Sequence, residues 1–511
     1  MAGLEGTRRG WGRLVLAGAL LNASPAACTT RLASEEAISA TTSTTQLATP
    51  STSAATSAAT SAATASAPPP AAVRAAATPA PVVPGLLTFR GNATRTYYGQ
   101  GPVPAAPSVL RRFPDQPMCS DSLDYGVVLK WCGTGWTGQP AVFERQGKTW
   151  LVFGAYDGAV HFLDADTGQR LLADFPTGDL IKGSVTVDPD GYPLIYIGSR
   201  DNYLRVIALD RPAPTELWKL NAYAVSPTLW NDDWDGSPLV KDDYLFEGGE
   251  NSQLHIVKLH RAYGADGKVT VAPELVFHAP GWDDELLADV GDGDVSIESS
   301  VALFGNTLYF ANSGGLVQGW DISGLKDGVA PTRTFRFWTG DDTDATVVVD
   351  NEGMLYVASE WERHNTRSRQ VGQIIKLDPR RERPLVWSIA DQGTGDEDAG
   401  VWATPALYRD LVIVPTNGGR LLGIDRQTGA IRWTKALADP TWQSPVVVDA
   451  VLIQGDCNGV LHAYDLANTA IDPPELWTLR LGGCIESTPA VWKGRIYVGT
   501  RAGFVLTAGD R

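Results

Sequence analysis

The sequence predicts an all-β fold, an eight-bladed β-propeller of four-stranded antiparallel blades. Three observations lead to this prediction. The chain of 511 residues contains 53 Gly and 33 Pro, a content typical of strands joined by turns. A short strand motif recurs eight times along the chain, which indicates a repeat architecture. Each repeat is too small to bury its own faces and therefore needs neighbours on both sides.

The first strand of each repeat follows a small or polar residue, often with Pro next, and continues with aliphatic residues. Successive copies begin 40 to 63 residues apart, a period typical of propeller blades. The eight copies are residues 139–142, 184–187, 237–240, 300–303, 346–349, 404–407, 444–447 and 488–491.

Three further strands complete each repeat. A second aliphatic strand is followed by a glycine-containing turn such as Asn417-Gly418-Gly419, which predicts a hairpin. A third strand ends near an aspartate, as at Asp425, and a fourth carries an aromatic residue such as Trp338. Four short antiparallel strands in each repeat describe a propeller blade.

The last repeat has room for only three strands before the chain ends. We expect the missing fourth strand to be residues 127–131, because Trp131 precedes Pro140 by 9 residues, just as Trp338 precedes Val347. An N-terminal strand that closes the ring removes the exposed sheet edges. The propeller is then predicted to span residues 127–511, with residues 85–126 as an N-terminal extension that packs on it.

Two repeats carry a recognisable signature. It is seen in residues 164–168, Asp-Ala-Asp-Thr-Gly, and most fully in residues 425–433, Asp-Arg-Gln-Thr-Gly-Ala-Ile-Arg-Trp. These segments resemble the tryptophan-docking repeat of the quinoprotein eight-bladed propellers, which are named after pyrroloquinoline quinone (PQQ). Residues 89–95 resemble the short segment that often precedes such propellers, so the resemblance covers residues 85–511.

The resemblance implies one of two functions. In the quinoprotein dehydrogenases, two adjacent cysteines form a disulfide beside the cofactor, and this sequence has no Cys-Cys pair. The envelope lipoprotein propellers of the outer-membrane assembly type are non-catalytic scaffolds. We therefore expect a non-catalytic binding or scaffolding propeller at the bacterial cell envelope. The alternative is a PQQ- or metal-dependent oxidoreductase that acts at the mouth of the channel.

The N-terminal segment predicts export. Residues 1–28 combine early arginines with an apolar run at 14–21, which is too short to span a bilayer. They end in Ala-Ala-Cys28, which resembles a bacterial lipoprotein cleavage site with Cys28 as the lipidated residue; the alternative is ordinary secretion with cleavage nearby. Residues 29–84 are rich in Ala, Thr, Ser and Pro, which predicts a disordered tether. We expect a monomer that contacts a membrane only through its lipid anchor, in the periplasm or at the cell surface.

Four cysteines remain besides Cys28. Disulfides are favoured over metal sites in an exported protein. Cys119 and Cys132 are 13 residues apart, whereas Cys457 and Cys484 lie in the turn of blade 7 and at the entry to blade 8. We predict the local pairs 119–132 and 457–484, with free buried thiols as the alternative.

Acidic residues are concentrated in four loops. The net charge of −16 excludes the basic footprint that nucleic-acid binding needs. Residues 231–236, 281–298, 340–345 and 391–400 together contain 17 Asp and Glu and neither Lys nor Arg. These loops join the fourth strand of one blade to the first strand of the next, so they lie on one face of a propeller. We call them the acidic crescent. The basic turn 360–372 of blade 5 is interpreted as a lid that folds over it, with a mobile surface loop as the alternative.

One residue per blade, just before each first strand, is predicted to surround the mouth of the central channel. We expect this set to bind a cation, a basic peptide or a sugar, and to meet a small ligand or an envelope protein. The alternative is that the loop charges serve only solubility. Ca²⁺ is a possible cofactor, and Asp292 and Asp294 are candidate metal ligands. The predicted set is Thr137, Lys182, Asp235, Glu298, Asp344, Trp402, Trp442 and Glu486.

Overall fold

The computed structural model describes residues 83–124, 126–135, 138–393, 399–438 and 440–511. The predicted signal segment, Cys28 and residues 29–82 of the predicted tether lie outside these described residues, as does Thr137. The eight-bladed propeller is confirmed, with each blade a sheet whose strands follow one another in sequence from the channel outwards. None of the helices among the described residues is long and apolar enough to cross a membrane.

The first four blades contain these strands. Blade 1 has Ala141–Arg145, Lys148–Gly154, Ala159–Asp164 and Phe175–Pro176. Blade 2 has Thr186–Val187, Leu194–Ile197, Tyr203–Ala208 and Thr215–Asn221. Blade 3 has Leu239–Lys241, Tyr244–Gly248, Gln253–Lys258 and Glu274–Pro280, with a small hairpin of Ala262–Tyr263 and Val269–Thr270 before its last strand. Blade 4 has Ala302–Phe304, Thr307–Phe310, Leu316–Asp321 and Thr332–Trp338.

The last four blades follow the same order. Blade 5 has Val348–Val349, Leu355–Ala358, Ile374–Leu377 and Leu385–Ile389. Blade 6 has Ala406–Tyr408, Leu411–Pro415, Arg420–Asp425 and Ile431–Ala436. Blade 7 has Val446–Val448, Val451–Gly455, Val460–Asp465 and Glu475–Arg480. Blade 8 has Ala490–Trp492, Arg495–Thr500 and Phe504–Gly509. Two short helices, α1 (Asp284–Val290) and α2 (Thr366–Val371), lie in connections.

The ring is closed by an N-terminal strand, as predicted, but the predicted strand is wrong. Ser108–Phe113 pairs antiparallel with Phe504–Gly509 and is the fourth strand of blade 8. Val127–Cys132 instead pairs with Cys119–Asp124 in a separate hairpin. The physical reason lies in the contacts that each strand makes. Phe113 of the closing strand packs edge-on against Phe153 of blade 1. Residues 127–132 instead pair with the cysteine-containing strand just before them in the sequence.

Both predicted disulfides are confirmed. Cys119 and Cys132 face each other across the base of the separate hairpin and are bonded. Cys457 and Cys484 are bonded between the turn of blade 7 and the entry to blade 8. The first bridge joins two strands of one hairpin, and the second joins connections of neighbouring blades, so each links segments that the fold already places together.

The signature of blade 6 has a clear structural basis. The Asp425 carboxylate accepts hydrogen bonds from the backbone N–H groups of Gln427 and Thr428, at 3.0 and 2.7 Å, and holds the turn. Gly429 has a positive φ of 76°, and a Cβ there would lie 2.9 Å from the Trp387 ring of blade 5. The Trp387 indole N–H donates to the Arg426 carbonyl at 3.2 Å. The repeat therefore docks one blade's tryptophan on the next blade's turn.

The small residue that enters each first strand links neighbouring blades. Among the described residues, the entry residue's backbone N–H donates to the hydroxyl of the equivalent Ser or Thr in the next blade in five cases, at 2.9 to 3.0 Å. A short hydroxyl side chain is needed because the inner strands converge at the axis. The donor and acceptor pairs are Gln139–Ser184, Ser237–Ser300, Ser300–Thr346, Thr346–Thr404 and Thr404–Ser444.

Residues 84–101 run round the inner strands and fill the channel from one end. This segment contributes two short strands. Gly85–Leu86 pairs antiparallel with the first strand of blade 1, and Gly99–Gln100 pairs parallel with the first strand of blade 8. Single hydrogen bonds reach blades 2, 4, 5 and 6: Val187 N–H to Leu87 O, Leu303 N–H to Ala93 O, Val349 N–H to Thr94 O and Leu407 N–H to the Tyr98 hydroxyl. We call this segment the plug.

Candidate functional site

Four of the residues predicted to surround the channel mouth lie close together. Lys182, from the entry to blade 2, lies with its Nζ 2.5 Å from Asp235 Oδ2 at the entry to blade 3. The electrostatic environment of Lys182 also includes Glu298 at the entry to blade 4. Asp344 at the entry to blade 5 raises the pKa of Glu298, although less than burial does. The repeat period thus brings four ionisable side chains from four blades into one group.

Lys182 neutralises one side of the mouth. Its Nζ lies between Asp235 and Glu250, 3.6 Å from Glu250 Oε1. Burial lowers the pKa of Lys182, but the two carboxylates more than offset this and leave it well above its usual range. Arg200 pairs with the neighbouring Asp233, at 2.6 Å from Nε to Oδ2. The cluster of Asp233, Asp235 and Glu250 therefore holds cations of its own.

A second carboxylate cluster lies on the other side of the mouth. Oxygens of Asp342, Asp344 and Glu360 all lie within 4.8 Å of one another. Glu360 is only 2% exposed. Burial raises its pKa well above the usual range, and the charges of Glu362 and Asp342 raise it further. In the described part of the chain, neither Lys nor Arg forms an ion pair with this group, which we call the open carboxylate cluster.

The remaining predicted residues form an aromatic side of the mouth. The rings of Trp402 and Trp442 stack with centroids 4.7 Å apart and an interplanar angle of 24°. Glu486 pairs with Arg501 at 3.2 Å. The Arg501 guanidinium in turn lies 4.9 Å from the centroid of the Tyr156 ring. The mouth thus combines carboxylates with half-buried tryptophan rings, a combination suited to organic cations.

The two candidate metal ligands at 292 and 294 already have a counter-charge. Arg363 reaches Asp292 Oδ2 at 3.0 Å and Asp294 Oδ2 at 3.5 Å. Arg363 belongs to the basic turn 360–372, whose backbone is fixed because Asp341 Oδ1 accepts the N–H groups of residues 362 and 363. The expected contact between this turn and the acidic crescent therefore forms, through an arginine.

Sequence reasoning missed a second set of mouth residues. These residues follow the second strand of each repeat by one to three positions and lie on the same face as the acidic crescent. The signal was available, because the connection after the second strand ends on the same face as the connection before the first. The set is Tyr156, Arg200, Glu250, Ser313, Glu360, Asn417, Cys457 and Arg501.

A family model described as outer membrane protein assembly factor BamB matches residues 342–500. This segment covers blades 5 to 7 and the first two strands of blade 8, and it includes the tryptophan-docking signature of blade 6. Over this part of its length the chain is similar to the PQQ-like β-propeller repeats. No curated protein sequence matches the chain.

Several solved structures are similar to this propeller in fold. Quinohemoprotein alcohol dehydrogenase from Comamonas testosteroni has a TM-score of 0.53 at 16% identity, over 83% of this chain and 80% of that chain. A europium-containing methanol dehydrogenase has a TM-score of 0.52 at 14% identity, over 81% and 89%. Sqt1 from Saccharomyces cerevisiae has a TM-score of 0.54 at 9% identity, over 76% and 97%. At these identities the likeness shows the fold alone.

The charge of the mouth limits the ligands that it can hold. Here the carboxylates outnumber the cations, and burial together with mutual repulsion raises the pKa of Glu298, Asp342 and Glu360. A polyanion such as PQQ would add to that repulsion unless a metal ion neutralised the carboxylates. The donor set suits a cationic ligand.

Proposed function

We propose that this protein is a non-catalytic binding propeller of the bacterial cell envelope whose channel mouth takes up a basic side chain of a partner protein. The observation that carries the proposal is the open carboxylate cluster of Asp342, Asp344 and Glu360. A lysine or arginine from a partner would do there what Lys182 does beside Asp235 and Glu250. Charge-assisted hydrogen bonds of this kind are about twice as strong as neutral ones.

The aromatic side of the mouth supports the same ligand class. Trp402 and Trp442 form a stacked pair at the entries to blades 6 and 7. A cation over an indole face gains about 0.5–2 kcal/mol, depending on its exposure. A basic side chain can use both features because its charged end binds carboxylates while its alkyl stem lies on a ring. Ca²⁺ would use only the carboxylates.

The envelope part of the proposal rests on two supports. The family model that matches residues 342–500 is described as an outer-membrane assembly factor. The Ala-Ala-Cys28 sequence predicts a lipid anchor followed by a long tether. Such an anchor would hold the propeller near a membrane surface, where a partner protein could reach the mouth.

A charge-matched binding assay tests the proposal. A fluorescently labelled pentalysine peptide should bind the purified protein, and Glu360→Gln or Asp344→Asn should weaken binding at least about fivefold, since a bond to a charged group is lost. Asp166→Asn removes the same charge from an exposed turn at the other end of blade 1 and should leave the affinity unchanged.

Three results would overturn the proposal. The first is equal pentalysine affinity for the wild type and Glu360→Gln. The second is displacement of pentalysine by Ca²⁺ at concentrations too low to act by screening, which would assign the cluster to a metal. The third is dye reduction on addition of PQQ, which would replace the non-catalytic assignment with the oxidoreductase alternative.

A further inference from the structure

A disulfide-closed hairpin with an apolar end stands on the same face as the mouth. It consists of Cys119–Asp124 and Val127–Cys132, with the disulfide at its base. Its outer face carries an ion pair between Asp121 and Lys130 at 2.9 Å and then the cross-strand pair Leu123–Val128. These two aliphatic side chains are 61% and 65% exposed. We call this element the rim hairpin.

The rim hairpin is joined to the carboxylates of the mouth by one guanidinium group. Arg200 Nη2 donates to the Leu123 carbonyl at 3.3 Å, and Arg200 Nε lies 2.6 Å from Asp233 Oδ2. At the base of the hairpin, Trp131 packs edge-on against Tyr156 with ring centroids 5.5 Å apart. The apolar end of the hairpin therefore lies next to the acidic mouth, above blades 1 and 2.

Two exposed aromatic residues lie on the same face of the propeller as the rim hairpin. Tyr223 and Trp230 lie in the connection between blades 2 and 3, just before Asp233. Burial raises the pKa of the Tyr223 hydroxyl, and the nearby carboxylate of Asp232 raises it further. Exposed apolar groups gathered around a binding site are typical of protein-interaction surfaces. We call the set of Leu123, Val127, Val128, Tyr223 and Trp230 the rim patch.

We infer that the rim patch docks an amphipathic basic segment of a partner protein. Its aliphatic side chains would cover the patch while a lysine or arginine enters the mouth, so the inference rests on the proposed function. Charge complementarity selects this occupant. A second copy of this chain carries the same net charge of −16, and an anionic lipid surface would be repelled by Asp232 and Asp233.

The patch is held ready for such a partner. The disulfide closes the base of the hairpin, and the Arg200 contact fixes the Leu123 end to blade 2. A surface that is ordered before binding loses less conformational entropy when the partner arrives. The rim hairpin can therefore contribute affinity with only two or three aliphatic contacts.

Two peptides of equal charge test the inference. The probes are labelled Lys-Leu-Lys-Leu-Lys-Leu-Lys and Lys-Ser-Lys-Ser-Lys-Ser-Lys, with affinity measured by fluorescence anisotropy on the folded protein. The leucine peptide should bind about tenfold more tightly, the effect of burying two aliphatic side chains in part. Leu123→Ser combined with Val128→Ser should bring that ratio close to one and leave the serine peptide unaffected.

A matched double variant serves as control. Val329→Ser with Ile471→Ser removes two apolar side chains, 60% and 51% exposed, from connections between third and fourth strands at the far end of the blades. It should preserve the tenfold ratio. Trp230→Ser, outside the hairpin, should lower the ratio and guards against a hairpin variant that misfolds.

The outcomes separate this inference from the proposed function. A ratio near one in the wild type, or a ratio unchanged by both the hairpin variant and Trp230→Ser, would overturn the rim-patch inference alone. If the serine peptide bound the wild type and Glu360→Gln with equal affinity, that result would instead overturn the proposed function. Binding of the wild type to phosphatidylglycerol vesicles that depends on Leu123 would replace the protein partner with a membrane.

Discussion

The two ends of the channel treat buried charge in opposite ways. At the plug end, Arg90 and Arg95 are fully buried and every guanidinium arm has an acceptor. Arg90 donates to the carbonyls of Thr404 and Pro405 at 3.1 and 2.8 Å. Arg95 donates twice to the Val301 carbonyl, at 3.0 and 2.6 Å. The plug thus ties blades 3, 4 and 6 together through hydrogen bonds that are complete without any ligand.

At the mouth end, the hydrogen bonding of the buried carboxylates is incomplete among the described residues. Buried oxygens of Asp235 and Asp342 have no hydrogen-bond partner among the described residues. Burial and neighbouring carboxylates raise the pKa of Glu298 and Glu360 well above the usual range. Groups arranged in this way cost stability in the free protein, which is typical of a site shaped for a ligand. The difference teaches that one end of the channel is built for the fold and the other for binding.

Glu247 lies between the two ends of the channel, where the hydrogen-bonded arginines of the plug meet the carboxylates of the mouth. It is fully buried on the second strand of blade 3, and neither carboxylate oxygen has a hydrogen-bond partner in the described chain. Burial raises the pKa of Glu247, while Arg95 below it acts in the opposite direction. Burial lowers the pKa of Arg95 to about 10, and Glu247 partly restores it. The two groups face each other across the boundary between plug and mouth.

The largest expected effect is at the plug. Arg90→Met should lower the free energy of unfolding by about 3–5 kcal/mol, because it removes a charge-assisted network and leaves the Thr404 and Pro405 carbonyls buried without donors. Denaturant unfolding followed by tryptophan fluorescence measures this. Arg383→Met, at an exposed position in blade 5, should change stability by less than about 0.5 kcal/mol. Similar losses in the two variants would contradict a structural role for the plug.

Periodicity explains which parts of this picture the sequence could predict. The eight blades, the need for an N-terminal closing strand, the Cys457–Cys484 bridge and the set from Lys182 to Glu486 follow from a pattern repeated at known spacing. Where the pattern is local, as in the turn of Asp425 and Gly429, a few residues determine the geometry. Those predictions needed no knowledge of long-range contacts.

The parts that could not be predicted depend on distant partners. The residues next to Arg90 and Arg95 in the sequence do not indicate that their acceptors are Thr404 and Val301. These acceptors are 314 and 206 residues away along the chain. The closing strand was misplaced because an aromatic residue at the right spacing, Trp131, is a weaker signal than the hairpin that Cys119 and Cys132 close. Glu250 and Glu360 were missed because only one connection per blade was considered.

A change of pH should have an effect of intermediate size on the free energy of unfolding. The direction of this effect is opposite to that expected for a protein whose carboxylates are stabilised by ion pairs. Burial, reinforced by Asp235, raises the pKa of Asp233 to about 7, and burial raises that of Asp294 to about 6. Between pH 7 and 5 the folded protein takes up protons that the unfolded chain, with carboxyl pKa values near 4, does not. Stability should therefore rise by about 1–2 kcal/mol as the pH falls through this window.

Thermal melts at low ionic strength from pH 8 to 5 measure this effect. Asp233→Asn should flatten the rise. Below pH 4 the trend should reverse, because His161 and Arg170 overcome burial and lower the pKa of Asp174 to about 2, so its ion pairs are lost on protonation. Asp233 and Asp294 are paired with Arg200 and Arg363, so a rise in stability at lower pH requires that burial outweighs these ion pairs. A melting temperature that climbs with pH between 5 and 7 would show instead that the ion pairs dominate.

The smallest expected effect is a gain from a single substitution in the open carboxylate cluster. Glu360→Gln should stabilise the free protein by about 1 kcal/mol at pH 7, because it removes a buried like charge beside Asp342 and Asp344 and keeps the side-chain volume. Glu352→Gln, in an exposed turn at the opposite end of the same blade, provides the control and should have no effect.

The decisive feature is the sign of the change rather than its size. If the carboxylate of Glu360 were structural, as the guanidinium of Arg90 is, its removal would destabilise the protein. If it is kept for a ligand, its removal stabilises the free protein and weakens pentalysine binding at the same time. Chemical denaturation with and without the peptide measures both stability and binding on one variant. A loss of stability together with unchanged binding would show that the carboxylate is structural, and the two ends of the channel would then not differ in role.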